Sequence, residues 1–210
     1  MRAILPALAA VVLGAPPAEA QAERARRAFD PALTLSISAK QFGTRLQGAN
    51  SDFRYKSSAG LSVWTELPLT RRTGLLATAN LTPFSKQRVE NSADNVAVFG
   101  RVVTYGADVG IGARLKPSAP VFFFFGGGMV AASDYADPAD DGGVFEPQGT
   151  FAVGYDARRR GPWNIRAVYM GHVVRPAEGN LPDTSPASTA YDWSFQLGGR
   201  YTFGPSGSPR

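Results

Sequence analysis

The sequence contains no cysteine and only one histidine, His172. The first absence excludes a disulfide framework, a thiolate zinc centre and a cysteine nucleophile. The second leaves little material for a histidine-based metal site. There is no long apolar run either. Past the N-terminal segment the longest is residues 121–132 (VFFFFGGGMVAA), well short of the roughly 20 residues a spanning helix needs. Its three glycines also make a poor helix interior. Charge of one sign is not concentrated: 22 Lys and Arg against 17 Asp and Glu give a net +5, scattered along the chain. No basic stripe forms, so no nucleic-acid partner is expected. Gly126, Gly127 and Gly128 lack the following Lys-Ser or Lys-Thr of a phosphate loop.

What is present begins with an export pattern. Arg2 supplies a positive start, residues 4–14 are apolar, Pro16 and Pro17 break the run, and Ala18-Glu19-Ala20 offers a small-residue cleavage site. This is the arrangement of a signal peptide, assigned to residues 1–22. Residues 23–31 follow as a basic N-terminal tail. An exported chain without disulfides must draw its stability from elsewhere. A closed barrel, in which every strand pairs on both edges, is one source.

The rest of the chain alternates apolar and polar residues, the period of a β-strand. Leu33, Leu35, Ile37 and Ala39 alternate with Thr34, Ser36, Ser38 and Lys40. Comparable alternation recurs around Leu61, Leu75, Val109, Phe151 and Ile165. It is clearest at the end, where Tyr191, Trp193, Phe195, Leu197, Tyr201 and Phe203 share one face, opposite Asp192, Ser194, Gln196, Arg200 and Thr202. With the Phe- and Gly-rich segment from Val121, eight strands result. Short connectors (residues 68–74, 116–120 and 158–162) alternate with long polar ones (43–54, 84–95, 134–143 and 175–188). Short periplasmic turns opposite long external loops are the rhythm of an outer-membrane barrel.

The two strand faces decide which solvent each meets. One is aliphatic, with aromatics toward the strand ends, as a lipid band flanked by girdles requires. The other carries Gly60, Gly106, Gly110, Gly112, Gly154 and Gly198, together with Lys40, Glu66, Asp108, Arg114, Asp156, Arg166, Asp192 and Arg200. Small residues suit the crowded inside of an eight-stranded barrel, and the mixed charges can pair there. The expected fold is therefore all-β: an eight-stranded antiparallel up-and-down transmembrane β-barrel over residues 32–204, with a C-terminal tail at 205–210.

On this pattern, and on the closing residues 198–203 (GGRYTF), the chain resembles the OmpA/OmpX-like family of small, porin-like outer-membrane barrels over nearly its whole mature length. The resemblance implies residence in a Gram-negative outer membrane, contact with outer-membrane lipid, and insertion by the barrel-assembly machinery. That machinery reads a terminal aromatic residue; here Phe203 is followed by residues 204–210. The resemblance also implies a structural or surface-interaction role, with long loops presented as a binding surface to an extracellular ligand that the sequence does not name. A narrow channel for small solutes and a lipid A-modifying enzyme are the alternatives, and a soluble periplasmic binding barrel is a third.

Candidate chemistry is sparse. Barrel enzymes that act on lipid A pair a His with a Ser two residues later on the same face. After His172 that position is Val174, and Glu178 lies in the following loop. The favoured reading of His172 is a polar barrel residue, and no enzyme is expected. Asp134, Asp137, Asp140 and Asp141 could offer oxygen ligands to calcium, but Pro138 and the spacing favour a solvated loop. Arg71, Arg72 and residues 158–160 place positive charge in the turns, where they keep those ends in water or meet anionic headgroups. No catalytic, cofactor-binding or metal-binding residue is assigned, and no cofactor is expected.

Overall fold

The structure is a computed structural model, and it describes residues 29–48, 51–91, 96–133, 144–157, 162–176 and 184–203. In chain order the strands are β1 (Ala32–Gln41), β2 (Thr44–Gly48), β3 (Ser51–Tyr55), β4 (Ser58–Pro68), β5 (Thr73–Asn91), β6 (Val96–Ala113), β7 (Val121–Ser133), β8 (Val144–Ala157), β9 (Trp163–Val174), β10 (Thr184–Pro186) and β11 (Ala190–Thr202). Eight of them close a barrel in the circular order β1, β4, β5, β6, β7, β8, β9, β11, every pair antiparallel. The seam joins first to last strand, from Ala32 opposite Thr202 to Gln41 opposite Trp193. Closure leaves no edge along the wall, so every wall strand has a neighbour on each side to receive its backbone hydrogen bonds.

Short connections gather at one end with both barrel termini. Thr70 closes the first: its hydroxyl accepts from the backbone N–H of Arg72 (3.2 Å) and of Thr73 (3.1 Å). The second is a turn in which Ala119 N–H donates to the Lys116 carbonyl at 2.9 Å. Pro117 occupies the position whose fixed φ such a turn favours. We call this the turn end.

The opposite end differs from the sequence expectation. Residues 43–54, 84–95 and 175–188 are not simply loops. β5 and β6 run to 19 and 18 residues, whereas about 10 tilted residues cross the hydrocarbon. The excess carries the hairpin about 20 Å past the lipid at the usual rise and tilt. β3 pairs with this extension of β5, β2 pairs with β3, and β10 pairs with β2. These three strands are short, and they gain an edge to pair with only because the β5–β6 hairpin projects beyond the wall. Residues 134–143 and 158–160, with Glu178, lie outside the described residues, as do residues 1–22 and 205–210.

The two faces are assigned as the alternation implies. Ile37 is 66% exposed and Phe125 65%, whereas Thr34, Arg166 and Asp192 inside are fully buried. A continuous apolar exterior around a charged interior inverts the arrangement of a water-soluble protein. Trp163, Tyr201 and Phe203 stack edge-on at the turn end, with ring centroids 4.9 and 5.1 Å apart. Tyr169, Trp193 and Phe151 form a second aromatic group toward the other end, at 5.4 and 5.5 Å. These are the two girdles of a lipid-facing band.

Inside, two inward positions lack a side chain because an aromatic ring occupies the space. A Cβ on Gly154 would collide with the Phe122 ring, and one on Gly112 would come within 2.9 Å of Phe29. Only glycine permits that approach. Trp64, Leu76, Phe122, Phe124, Ala152, Val168 and Met170 fill the middle, Phe29 joins them from the turn end, and the Trp64 and Phe124 rings meet edge-to-face at 5.4 Å. Phe29 belongs to the segment read from sequence as the tail, yet it is fully buried in this cluster.

The face assignment predicts that Ile37→Arg, near the middle of β1, lowers the stability of the lipid-inserted barrel by about 2–4 kcal/mol, measured by urea titration in bilayers. An unchanged titration would mean that this face does not meet hydrocarbon.

Candidate functional site

The chemistry of the chain lies in the lumen, in two charged layers separated by the aromatic middle. Near the turn end the charges alternate in sign. Arg114 pairs with Asp156. Arg166 donates to the same carboxylate from Nε at 2.6 Å and Nη2 at 2.8 Å, and its Nη1 lies 2.5 Å from Glu66. Glu66 in turn accepts from Arg200 at 2.9 and 3.0 Å. Four of the side chains come from β4, β8, β9 and β11, and Arg114 directly follows β6, so the chain of charges ties the wall together across the bore. The Arg166 guanidinium lies 4.4 Å from the centre of the Phe122 ring, and Arg114 lies 5.0 Å from that of Phe29. These contacts offer each cation an aromatic face as well as a carboxylate.

The layer toward the hairpin end is built around Asp192 and Asp108. Arg45, on β2, reaches into the mouth and grips Asp192 with both terminal nitrogens (2.8 and 2.7 Å), while its Nε donates to Glu146 at 2.9 Å. The Gly43 N–H also donates to Asp192, at 3.0 Å, and Lys40 stands 3.6 Å from it. Burial works against the Arg45 charge, but the Asp192 and Glu146 carboxylates more than offset it, so its pKa is raised. Bidentate pairing of this kind fixes geometry as well as charge. Arg45 thereby fastens the β2–β3 hairpin to β11 and β8 at the rim.

His172 sits below this latch, 2% exposed. The hydrogen bonds around it define its role. The Thr150 hydroxyl donates its only proton to Asp108, at 2.6 Å, and Gln148 donates to the same oxygen at 2.7 Å. With Asp108 ionised, the contact of 3.1 Å between Thr150 Oγ1 and His172 Nδ1 is donated by the imidazole. The order of the relay is His172, Thr150, Asp108. A nucleophilic hydroxyl would need the reverse, its proton directed at the imidazole and the carboxylate behind it. Val174, where the barrel enzymes carry Ser, is fully buried beside Val130 and Ala190.

The eight charged residues read as inward-facing all enter these layers. Arg45, Glu146, Gln148 and Thr150 were not foreseen. The last three share the inward parity of Asp156, and carrying the β8 alternation back past Phe151 finds them. Arg45 carries no such signal, because its strand exists only through its partners. Arg71 and Arg72 are exposed in the first turn, and Gly126, Gly127 and Gly128 lie within β7. Among the described residues no group of three or more His, Asp or Glu is arranged to hold a metal ion.

No protein-family model matches the chain, and no curated protein is similar to it in sequence. Solved structures do match. The outer membrane protein AlkL, determined in lipid bilayers, superimposes with a TM-score of 0.54 over 86% of this chain and 93% of its own, at 13% identity. OprG from Pseudomonas aeruginosa gives 0.48 over 83% and 96%, at 9% identity. The neisserial surface protein NspA gives 0.45 over 82% and 97%, also at 9%. The likeness is one of fold: this chain has the architecture of the small eight-stranded outer-membrane barrels.

The alternating charges predict that Arg166→Met, which leaves Glu66 and Asp156 each with one partner fewer, destabilises the barrel by about 3–5 kcal/mol. The double variant Arg166→Met with Glu66→Gln, which also takes the carboxylate from Arg200, loses more than the single variant. Urea titration of the lipid-inserted chain measures both. A loss under about 1 kcal/mol would show that the pairs are not what stabilises the lumen.

Proposed function

We propose that this protein is a closed outer-membrane barrel with a structural and surface-interaction role, presenting the β2–β3, β5–β6 and β10 extension outside the cell. The turn end faces the periplasm, as short connections do in such barrels. The observation that supports this reading best is the occupied bore. The Arg114–Asp156–Arg166–Glu66–Arg200 chain, the Trp64, Phe122 and Phe124 layer, and the Arg45 latch succeed one another along it. A permeating ion would have to break these ion pairs or displace the packed rings.

A role in modifying lipid A finds no support in the His172 relay, since Thr150 is not activated by the imidazole. The extension beyond the lipid is where binding specificity resides, as connecting segments on a rigid scaffold generally carry it.

The test is reconstitution of the intact chain into planar bilayers, with lipid A from expressing cells profiled in parallel. The expected result is no stepwise conductance and an unchanged lipid A profile, the same for the chain as it stands and for His172→Ala. Discrete conductance steps would establish the channel instead, and a deacylated or acylated lipid A that disappears with His172→Ala would establish the enzyme.

A further inference from the structure

From the placement of Phe29 and Asp30, we propose that residues 29–31, directly before β1, form an intramolecular stopper set into the periplasmic mouth of the barrel. It is an element separate from the wall and fitted into a seat that the wall provides. In the circular strand order β7 stands opposite β1. Phe29, three residues before β1 begins, nevertheless meets Phe122 of β7 edge-on, with ring centroids 6.1 Å apart. Its ring also lies against Gly74 of β5 and Gly112 of β6, where an added Cβ would approach it to 2.8 and 2.9 Å. The segment therefore crosses the bore.

The seat is shaped for a large apolar side chain. Two glycines clear the space, and Phe122 supplies an edge. The Arg114 guanidinium, 5.0 Å from the ring centre, supplies a cation for its face. The charges agree. The periplasmic layer holds three guanidinium groups against the two carboxylates of Glu66 and Asp156. Asp30 lies close enough to Arg200 to act on it electrostatically, which brings the third negative charge from the same segment. The segment is also anchored at the barrel seam, where Phe203 N–H donates to the Pro31 carbonyl at 2.8 Å. The wall closes through its own strand pairs, so the stopper governs access to the lumen from the periplasm and is not needed for the barrel to form.

The absence of native cysteine makes this directly measurable. Thr34→Cys places a thiol inside the lumen, beside Trp64 and Arg200 in register. The full-length chain, folded into vesicles, is exposed to a water-soluble maleimide, and retention of the folded form is followed by gel mobility without boiling. Adding Phe29→Ala should leave the folded form intact and speed labelling by about tenfold or more, whereas Phe29→Leu, which refills the seat, should label close to the parent rate. Labelling unchanged by Phe29→Ala would overturn the proposal. Loss of the folded form in Phe29→Ala would overturn it as well, because the segment would then be part of the barrel's folding core. The labelling ratio decides this separately from conductance, so a conducting parent chain would refute the closed-bore reading without deciding the stopper.

Discussion

Hydrocarbon on the outside is the constraint from which the rest of this structure follows. Lipid offers no hydrogen bonds, so the wall must satisfy its own backbone, and a sheet does so only by closing on itself. Closure with a side-chain period of two then sends every second residue inward. What lipid will not accept has to be accommodated there. Ile37, Phe125 and Leu197 face outward on this account, and Arg166, Asp192 and Glu66 are enclosed.

Enclosure transfers the difficulty to the lumen. A charge taken from water without a partner costs several kcal/mol, and this lumen holds many. The arrangement found is alternation. Arg114, Asp156, Arg166, Glu66 and Arg200 stand so that each carboxylate serves two guanidiniums. Phe29 and Phe122 add ring faces beside Arg114 and Arg166. The second layer solves the same problem around Asp192, with Arg45 brought in from outside the wall. One interaction thereby serves two purposes: it neutralises a buried carboxylate and holds the outer hairpin over the mouth. The His172, Thr150 and Asp108 relay lies in the same layer, where Thr150 and Gln148 both donate to one Asp108 oxygen.

Much of this was legible in the sequence, for a physical reason. Alternation over Tyr191 to Phe203 or Leu33 to Lys40 records a strand with two different solvents, and lipid makes the contrast sharp. Inward residues such as Asp156, Arg166 and Arg200 could be assigned by parity alone. Other features depend on contacts between residues distant in the chain. β2, β3 and β10 carry no strong pattern, because they pair above the lipid where no face is selected. Arg45 looks like any loop arginine until Asp192 and Glu146 are opposite it, 147 and 101 residues away in the chain. Phe29 stands at the end of a basic tail, and nothing local marks it as the residue that crosses the bore. Trp64 follows the parity of Ser62, yet its place in the middle of the lumen depends on Phe124 and on the hydrogen bond it donates to Gln196 at 2.7 Å.

The inverted arrangement can be tested with the chain's three tryptophans. Trp163 and Trp193 belong to the outer girdles, and Trp64 is enclosed in the lumen. Single-tryptophan chains, with the other two replaced by phenylalanine, would be folded into bilayers containing lipids brominated along their acyl chains. The account predicts strong quenching of Trp163 and Trp193 fluorescence and little change at Trp64. Quenching of Trp64 with the other two unaffected would contradict it, since the faces assigned to lipid and lumen would then be exchanged.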